Sequence, residues 1–178
     1  MATRYVALLR GVNLGGRTVV PMKELARIFT DLGCSDVVTY IQSGNVVFRA
    51  APKVLQAIPS KVPLEIEKLS GYKTSLTIRD AAEMRKILAA NPYPDADLSR
   101  VHVVFLADLP KPEHAAQLDP LRSAPDQHQL LGQQVYLHLP NGVADSKLTN
   151  AYFDSKLKTM STARNWRTVT KLLELLEA

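Results

Sequence analysis

The sequence predicts an α+β protein built as two lobes, and two observations predict it. Short apolar runs and segments of helical apolar spacing follow one another in the order β-α-β-β-α-β over residues 1–90. A proline-rich break, Asn91-Pro92-Tyr93-Pro94-Asp95, then leads into a second lobe, residues 91–178, that again mixes strands and helices. The 178 residues suit one large domain or two small lobes, and an apolar fraction of 46% allows a real core.

Tyr5 to Arg10 reads as a buried strand, because Val6, Ala7, Leu8 and Leu9 are continuously apolar. Gly11, Gly15 and Gly16 make the following stretch a loop. Pro21 suits the first turn of a helix, where its missing N–H goes unused. Met22, Leu25, Ala26, Phe29 and Leu32 recur at helical spacing until Gly33 stops the helix. Val37 to Ile41 and Asn45 to Phe48 read as two strands, with Gly44 supplying the turn. Apolar spacing is helical again from Ala51 to Gly71, but Pro59 and Pro63 predict a short turn of helix, a break, and a second helix. Lys73 to Ile78 is the next strand. This order is that of the ferredoxin-like plait, in which two helices cover one face of a four-stranded antiparallel sheet.

Asp80, with Glu83 three residues later, forms a capping pair for a helix that runs to about Ala90. Val101 to Leu106 is a strand, and the proline-flanked segment from Leu109 to Pro120 holds at best one short helix. His128 to Leu131 and Gln134 to Leu139 bracket Gly132-Gln133, a two-residue hairpin. Ser146 to Leu157 is helical, and Trp166, Val169, Leu172, Leu173 and Leu176 mark the face of a last helix. The second lobe is therefore expected to be plait-like as well. No repeat of fixed period and no low-complexity tract is evident.

The 22 Lys and Arg exceed the 17 Asp and Glu, giving +5. The excess sits at the two ends. Arg4, Arg10, Arg17, Lys23 and Arg27 face only Glu24, while Lys147, Lys156, Lys158, Arg164, Arg167 and Lys171 face only Asp154. Such clusters attract phosphates, nucleic acid or acidic partners, or else are solvated faces. No run approaches the roughly 20 apolar residues of a bilayer-crossing helix, so no membrane is expected. The apolar run near the N-terminus is shorter than a secretory core and lacks a cleavage pattern. Cys34 is the single cysteine, so no internal disulfide forms and a cytoplasmic setting is the expectation. His102, His114, His128 and His138 match no zinc pattern, and no serine occupies a G-x-S-x-G elbow. No cofactor, metal or nucleophile is expected.

Three polar stretches remain. Gly11, Gly15 and Gly16 fit neither G-x-G-x-x-G nor a phosphate loop ending in Gly-Lys-Ser/Thr. What they form is either an anion-contacting loop before a helix N-terminus, flanked by Arg10 and Arg17, or a structural turn. In Gln42-Ser43-Gly44-Asn45, Ser and Asn are ordinary turn residues. Gln42 is not, so the hairpin is either a ligand rim or a plain polar tip. Near the C-terminus, Ser161, Thr162 or Asn165 caps the last helix. Capping alone does not explain Thr159, Thr162, Arg164, Asn165, Arg167 and Thr168 gathered around Trp166. Arg164 and Arg167 are three apart, hence neighbours on a helical surface that can grip a phosphate or carboxylate. Trp166 reads more readily as a core anchor.

Together these stretches resemble the bacterial proteins known as the domain of unknown function 1697 family. The resemblance rests on Arg10-Gly11-Val12-Asn13 with Gly15-Gly16, on Tyr40-Ile41-Gln42-Ser43-Gly44-Asn45, and on Thr162-Ala163-Arg164-Asn165-Trp166, and it runs from Tyr5 to Leu176. It implies two α/β plait lobes and lends no activity. The double proline at Pro59 and Pro63 departs from the smoother second helix the family leads one to expect.

The polar residues of these markers, with Arg17, form the candidate ligand-binding set: Arg10, Asn13, Arg17, Gln42, Ser43, Asn45, Thr162, Arg164 and Asn165. In a plait, the loop after the first strand and the hairpin between the second and third are expected at opposite ends unless the loop folds back. The expectation is a polar pocket near the interlobe surface, closed by the last helix. There the arginines neutralise a small anionic ligand, and Asn13, Gln42, Ser43 and Asn45 orient it. The alternative is an interlobe hydrogen-bond network that locks the halves. Three other functions compete: nucleic-acid binding across the sheet, an enzyme acting on a phosphorylated metabolite, and a non-catalytic interaction protein. The strand aromatics Tyr5, Tyr40, Phe48, Phe105 and Tyr136 do not follow the RNA-recognition signature. No catalytic residue and no oligomeric state is assigned.

Overall fold

The computed structural model describes residues 3–13 and 20–178. Its elements are β1 (Thr3–Leu9), α1 (Met22–Asp31), β2 (Ser35–Tyr40), β3 (Asn45–Ala50), α2 (Pro52–Ser70), β4 (Leu76–Asp80), α3 (Ala81–Ala89), β5 (Val101–Leu106), α4 (Pro112–Ala115), β6 (Gln127–Leu131), β7 (Gln134–His138), α5 (Asn150–Leu157), β8 (Ser161–Asn165) and α6 (Trp166–Glu177). The protein is thus mixed α+β, with two four-stranded antiparallel sheets and six α-helices among the described residues. The chain divides into two compact units, Met1–Met84 with Leu172–Ala178, and Arg85–Lys171.

In the first unit the strand order is β2-β3-β1-β4. One face of this sheet presents Ala7, Leu9, Val46, Phe48, Ala50 and Leu76 to Leu25 and Phe29 of α1 and to Ile58, Val62 and Ile66 of α2. Phe29 and Phe48 meet with ring centroids 5.0 Å apart. The opposite face is buried too: Val6, Leu8, Asn45, Val47, Thr77 and Arg79 share it by register. Arg4 lies on that face, and its guanidinium donates to the Leu175 carbonyl at 3.1 Å. It thereby takes up a carbonyl that the end of α6 leaves unbonded.

α2 is one continuous helix of 19 residues, not two pieces. Ile58, Val62 and Ile66 are fully buried at spacing four, contributing about 1.5–3 kcal/mol each. An interior proline costs about 3 kcal/mol, so packing of this one face roughly offsets both. Pro59 is exposed, so its ring displaces no core side chain.

In the second unit the order is β6-β7-β5-β8. Val104, Leu106, Val135, Leu137, Tyr152, Phe153 and Leu157 form the core between this sheet and α5. Val103, Phe105, Tyr136, Thr162 and Arg164 are buried on the opposite face, where the Tyr136 hydroxyl donates to the Ile87 carbonyl at 2.7 Å. α5 starts at Asn150 and not at Ser146, because the Thr149 hydroxyl caps it by accepting from the Tyr152 N–H at 3.2 Å. Ser161–Asn165, expected to open the last helix, is strand β8. Its residues are small or polar, yet four of the five are at least half-buried by pairing beside β5.

Candidate functional site

Register decides where the candidate residues of the first unit lie. Leu8 pairs with Asn45 and Leu9 with Leu76, so the C-terminal end of β1 meets the starts of β3 and β4. The loop after β1 and the β2–β3 hairpin therefore sit at the same end of the sheet, not at opposite ends. Adjacent antiparallel strands require this.

Three connections converge there. The Leu9 N–H donates to the Gly44 carbonyl at 2.9 Å, and the Arg10 N–H donates to the Ser75 carbonyl at 2.8 Å. The Thr74 hydroxyl donates to the Arg10 carbonyl at 2.7 Å. Gly44 has φ +76°, and a Cβ there would stand 2.9 Å from Leu9 Cβ, so hairpin and strand touch through the missing side chain. Gly11 has φ +68°, and its missing Cβ would stand 2.6 Å from the Tyr72 hydroxyl. Tyr72, from the α2–β4 connection, thus overhangs the Arg10-Gly11 step.

Within this cluster the polar residues divide by role. Asn13, at φ +58°, donates from Nδ2 to the Val20 carbonyl at 2.8 Å and accepts from the Val20 N–H at 3.0 Å. One side chain ties both ends of the loop. Residues 14–19, including Arg17, lie outside the described residues. Asn45 is fully buried and donates to the Tyr40 carbonyl and the Ser43 hydroxyl, each at 3.1 Å, holding the hairpin from inside. Gln42 is exposed, and Arg10 and Ser43 are half-buried. Ile41 is a β-branched residue at φ +48°, 50% exposed. That conformation stores about 1–2 kcal/mol.

Thr162, Arg164 and Asn165 belong to the second unit. Arg164 Nη1 donates to the Thr162 hydroxyl and the Ala163 carbonyl, each at 2.8 Å. Burial pulls its pKa down to about 10, so it remains a cation at neutral pH. Asn165 Oδ1 accepts from the Thr168 N–H at 2.8 Å and caps α6. Because Arg164 is on a strand, it and Arg167 are not the helical neighbours their spacing suggested. The first unit repeats the arrangement. Arg79 Nη1 donates to the Thr77 hydroxyl at 2.7 Å and the Ile78 carbonyl at 2.8 Å. Asp80 and Glu83 then cap α3 reciprocally, at 2.8 and 2.9 Å. Burial lowers the Arg79 pKa, with Glu83 opposing. So Thr-x-Arg-Asp/Asn followed by a capped helix occurs twice, in an order of strands that also occurs twice.

The sheet ends correspond as well. In the second unit the Leu106 N–H donates to the Gln133 carbonyl and the Ala107 N–H to the Met160 carbonyl, both at 2.9 Å. These are the counterparts of the Leu9 and Arg10 bonds. Thr159 stands where Thr74 does, but Ala107 and Asp108 stand in place of Arg10 and Gly11. Asp108 is held by the Thr159 hydroxyl, at 3.0 Å to its N–H and 3.1 Å to its carboxylate. The α2–β4 connection, residues 71–75, is also two residues longer than the α5–β8 connection, residues 158–160. The longer one carries exposed Tyr72 and Lys73. Sequence patterning did not single out these two. Their signal is an aromatic and a lysine directly after the helix-ending Gly71, which has φ +70°.

Among the described residues, no group of three His, Cys, Asp or Glu converges as a metal site would require. A concavity of about 490 Å³ between α1 and α2 holds none of the candidate residues. Its charges pair with one another, Arg27 with Asp31 at 3.6 Å and Lys68 with Glu65 at 2.7 Å.

Residues 2–136 match the family described as Protein of unknown function (DUF1697). The chain belongs to this family. The match takes in the Arg10-to-Gly16 and Tyr40-to-Asn45 markers and ends before Thr162. No curated protein matches the chain. Among solved structures, this DUF1697 chain is similar to the conserved bacterial protein SP0830 from Streptococcus pneumoniae. The two are 22% identical over 100% of both chains, with a TM-score of 0.72, a likeness of fold. No helix of the described residues is long and apolar enough to cross a membrane.

Proposed function

We propose that the first unit binds a ligand bearing a phosphate or carboxylate at the end of its sheet where β1, β3 and β4 meet. Arg10 supplies the charge, Gln42 and Ser43 the neutral hydrogen bonds, and Asn13 and Asn45 hold the loops that carry them. The observation that supports this most is the comparison between the two units. Both make the same two backbone bonds at this sheet end, yet the second makes them with Leu106 and Ala107 where the first has Leu9 and Arg10. These backbone bonds therefore do not depend on an arginine side chain after β1, and its presence in the first unit alone supports a role in binding. Thr162, Arg164 and Asn165 are assigned to the fold of the second unit, since their polar groups bond to the strand and helix that carry them.

The same reading takes each sheet with its helices as a ferredoxin-like plait, which the order β2-β3-β1-β4 and its repetition support. A cytoplasmic setting fits Cys34, which is buried, with its thiol pKa pushed up to about 11. Nucleic-acid stacking on the sheet faces is disfavoured, because Phe48, Phe105 and Tyr136 are fully buried.

Thermal melting with a panel of phosphorylated and carboxylated metabolites tests the proposal. A compound at 100 times its Kd stabilises by about 2.7 kcal/mol. The shift should vanish in Arg10→Ala while that variant, without ligand, melts close to wild type. Arg10→Ala melting far below wild type, with no compound shifting either protein, would assign Arg10 to the scaffold.

A further inference from the structure

The two units differ at this sheet end in more than charge. The longer α2–β4 connection adds Tyr72, 37% exposed, and places its hydroxyl over Gly11, next to Arg10. An aromatic side chain at a solvent-facing loop gains little from the core. Here it overhangs a glycine whose bare backbone leaves room for it, at 2.6 Å from the would-be Cβ. Lys73 beside it is exposed and reaches Glu67 only at 3.7 Å. Arg10, Gln42, Tyr72 and Lys73 are thus carried by three connections that meet at one sheet end.

From this we infer that the ligand carries a planar ring as well as its anionic group, and that the site takes a mononucleotide, with the base on Tyr72 and the phosphate toward Arg10 and Lys73. The inference rests on the anion-binding reading above and adds the ring to it. Stacking on an aromatic side chain is sequence-tolerant and substantial, so the ring contributes affinity whichever base it is. Gln42 offers both a donor and an acceptor for a base edge.

Isothermal titration of the full chain with inorganic phosphate, ribose 5-phosphate and the four ribonucleoside monophosphates tests it, with Tyr72→Phe, Tyr72→Ala and Arg10→Ala alongside. The nucleotides should bind at least about fivefold more tightly than ribose 5-phosphate. Tyr72→Phe should keep that ratio, Tyr72→Ala should bring it near one, and Arg10→Ala should weaken ribose 5-phosphate and nucleotide alike. Equal affinity for ribose 5-phosphate and nucleotides, both lost in Arg10→Ala, would overturn the ring and leave the anion site standing. Absence of binding by every compound would overturn both. A ten-residue single-stranded oligonucleotide, run in parallel, separates the sources of the base. Binding of the oligonucleotide without any mononucleotide affinity would overturn the assignment to a small ligand. Tyr72 is exposed, so melting of Tyr72→Ala should match wild type and certify that the folded state is being compared.

Discussion

Gly44 makes the sheet end testable at a single atom. Gly44→Ala adds a Cβ at φ +76°, 2.9 Å from Leu9 Cβ and 3.3 Å from Val12 Cβ. Both obstructing atoms are next to the backbone of fully buried residues, so neither swings away. The left-handed conformation costs an L-residue about 1–2 kcal/mol. Restricting the unfolded chain returns about 0.4–1 kcal/mol. The forced contact adds about 1–3 kcal/mol of overpacking. The net expectation is a loss of roughly 2–4 kcal/mol. Gly71→Ala is the matched control: its φ is +70°, but nothing lies within 4 Å of the new Cβ. It should lose no more than about 1.5 kcal/mol. Gly11→Ala is the third member, at φ +68°, where the obstruction is the far end of the exposed Tyr72. It should behave like Gly71→Ala in stability while pushing Tyr72 off its position. Urea unfolding followed by a probe in the first unit gives the three values, with equal slopes required for comparison. Losses for Gly44→Ala and Gly71→Ala within about 0.5 kcal/mol of each other would refute the claim that hairpin and β1 are pressed together there.

Other substitutions separate scaffold from site. Arg79→Ala and Arg164→Ala each remove a buried guanidinium that serves a threonine hydroxyl and a carbonyl, and should lose about 2–4 kcal/mol in chemical unfolding whatever ligand is present. Pro59→Ala restores a helical bond on the exposed side of α2 and should raise the midpoint of thermal unfolding, by about 1–3 kcal/mol of stability. Burial lowers the pKa of His102, with a bond to the Arg100 backbone opposing, and lowers that of His128, with Asp119 opposing. The unfolded chain therefore takes up protons near pH 6.5 that the folded chain does not. Stability should fall as pH drops from 7 to 5, and His102→Leu should flatten that slope.

Much of the fold is written in local pattern. The apolar run Val6–Leu9, the helical spacing from Met22 to Leu32, the reciprocal cap of Asp80 and Glu83 and the Gly132-Gln133 hairpin all appear where their residues predict. What stayed hidden depends on partners far along the chain. β8 has no apolar alternation, because Thr162 and Arg164 fill its buried face and bond to each other. The two prolines of α2 break a local rule that the packing of Ile58, Val62 and Ile66 outweighs. Asn13 and Asn45 were legible as special residues, but their bonds to Val20 and Tyr40 are what distinguish loop-holding from ligand-facing. Tyr72 gained its meaning only when the register brought the α2–β4 connection beside Gly11. The residue-by-residue correspondence of the two units has no fixed sequence period, because the connections differ in length while the strand order and the Thr-x-Arg step do not.

Amide chemical-shift mapping during titration with a ribonucleoside monophosphate is the most direct measurement of the central claim. Shifts should appear together at Arg10–Asn13, Gln42–Asn45 and Tyr72–Ser75, saturate with one affinity, and vanish in Arg10→Ala. Shifts confined to Thr162–Asn165, or none anywhere at saturating ligand, would contradict a site at this end of the first sheet.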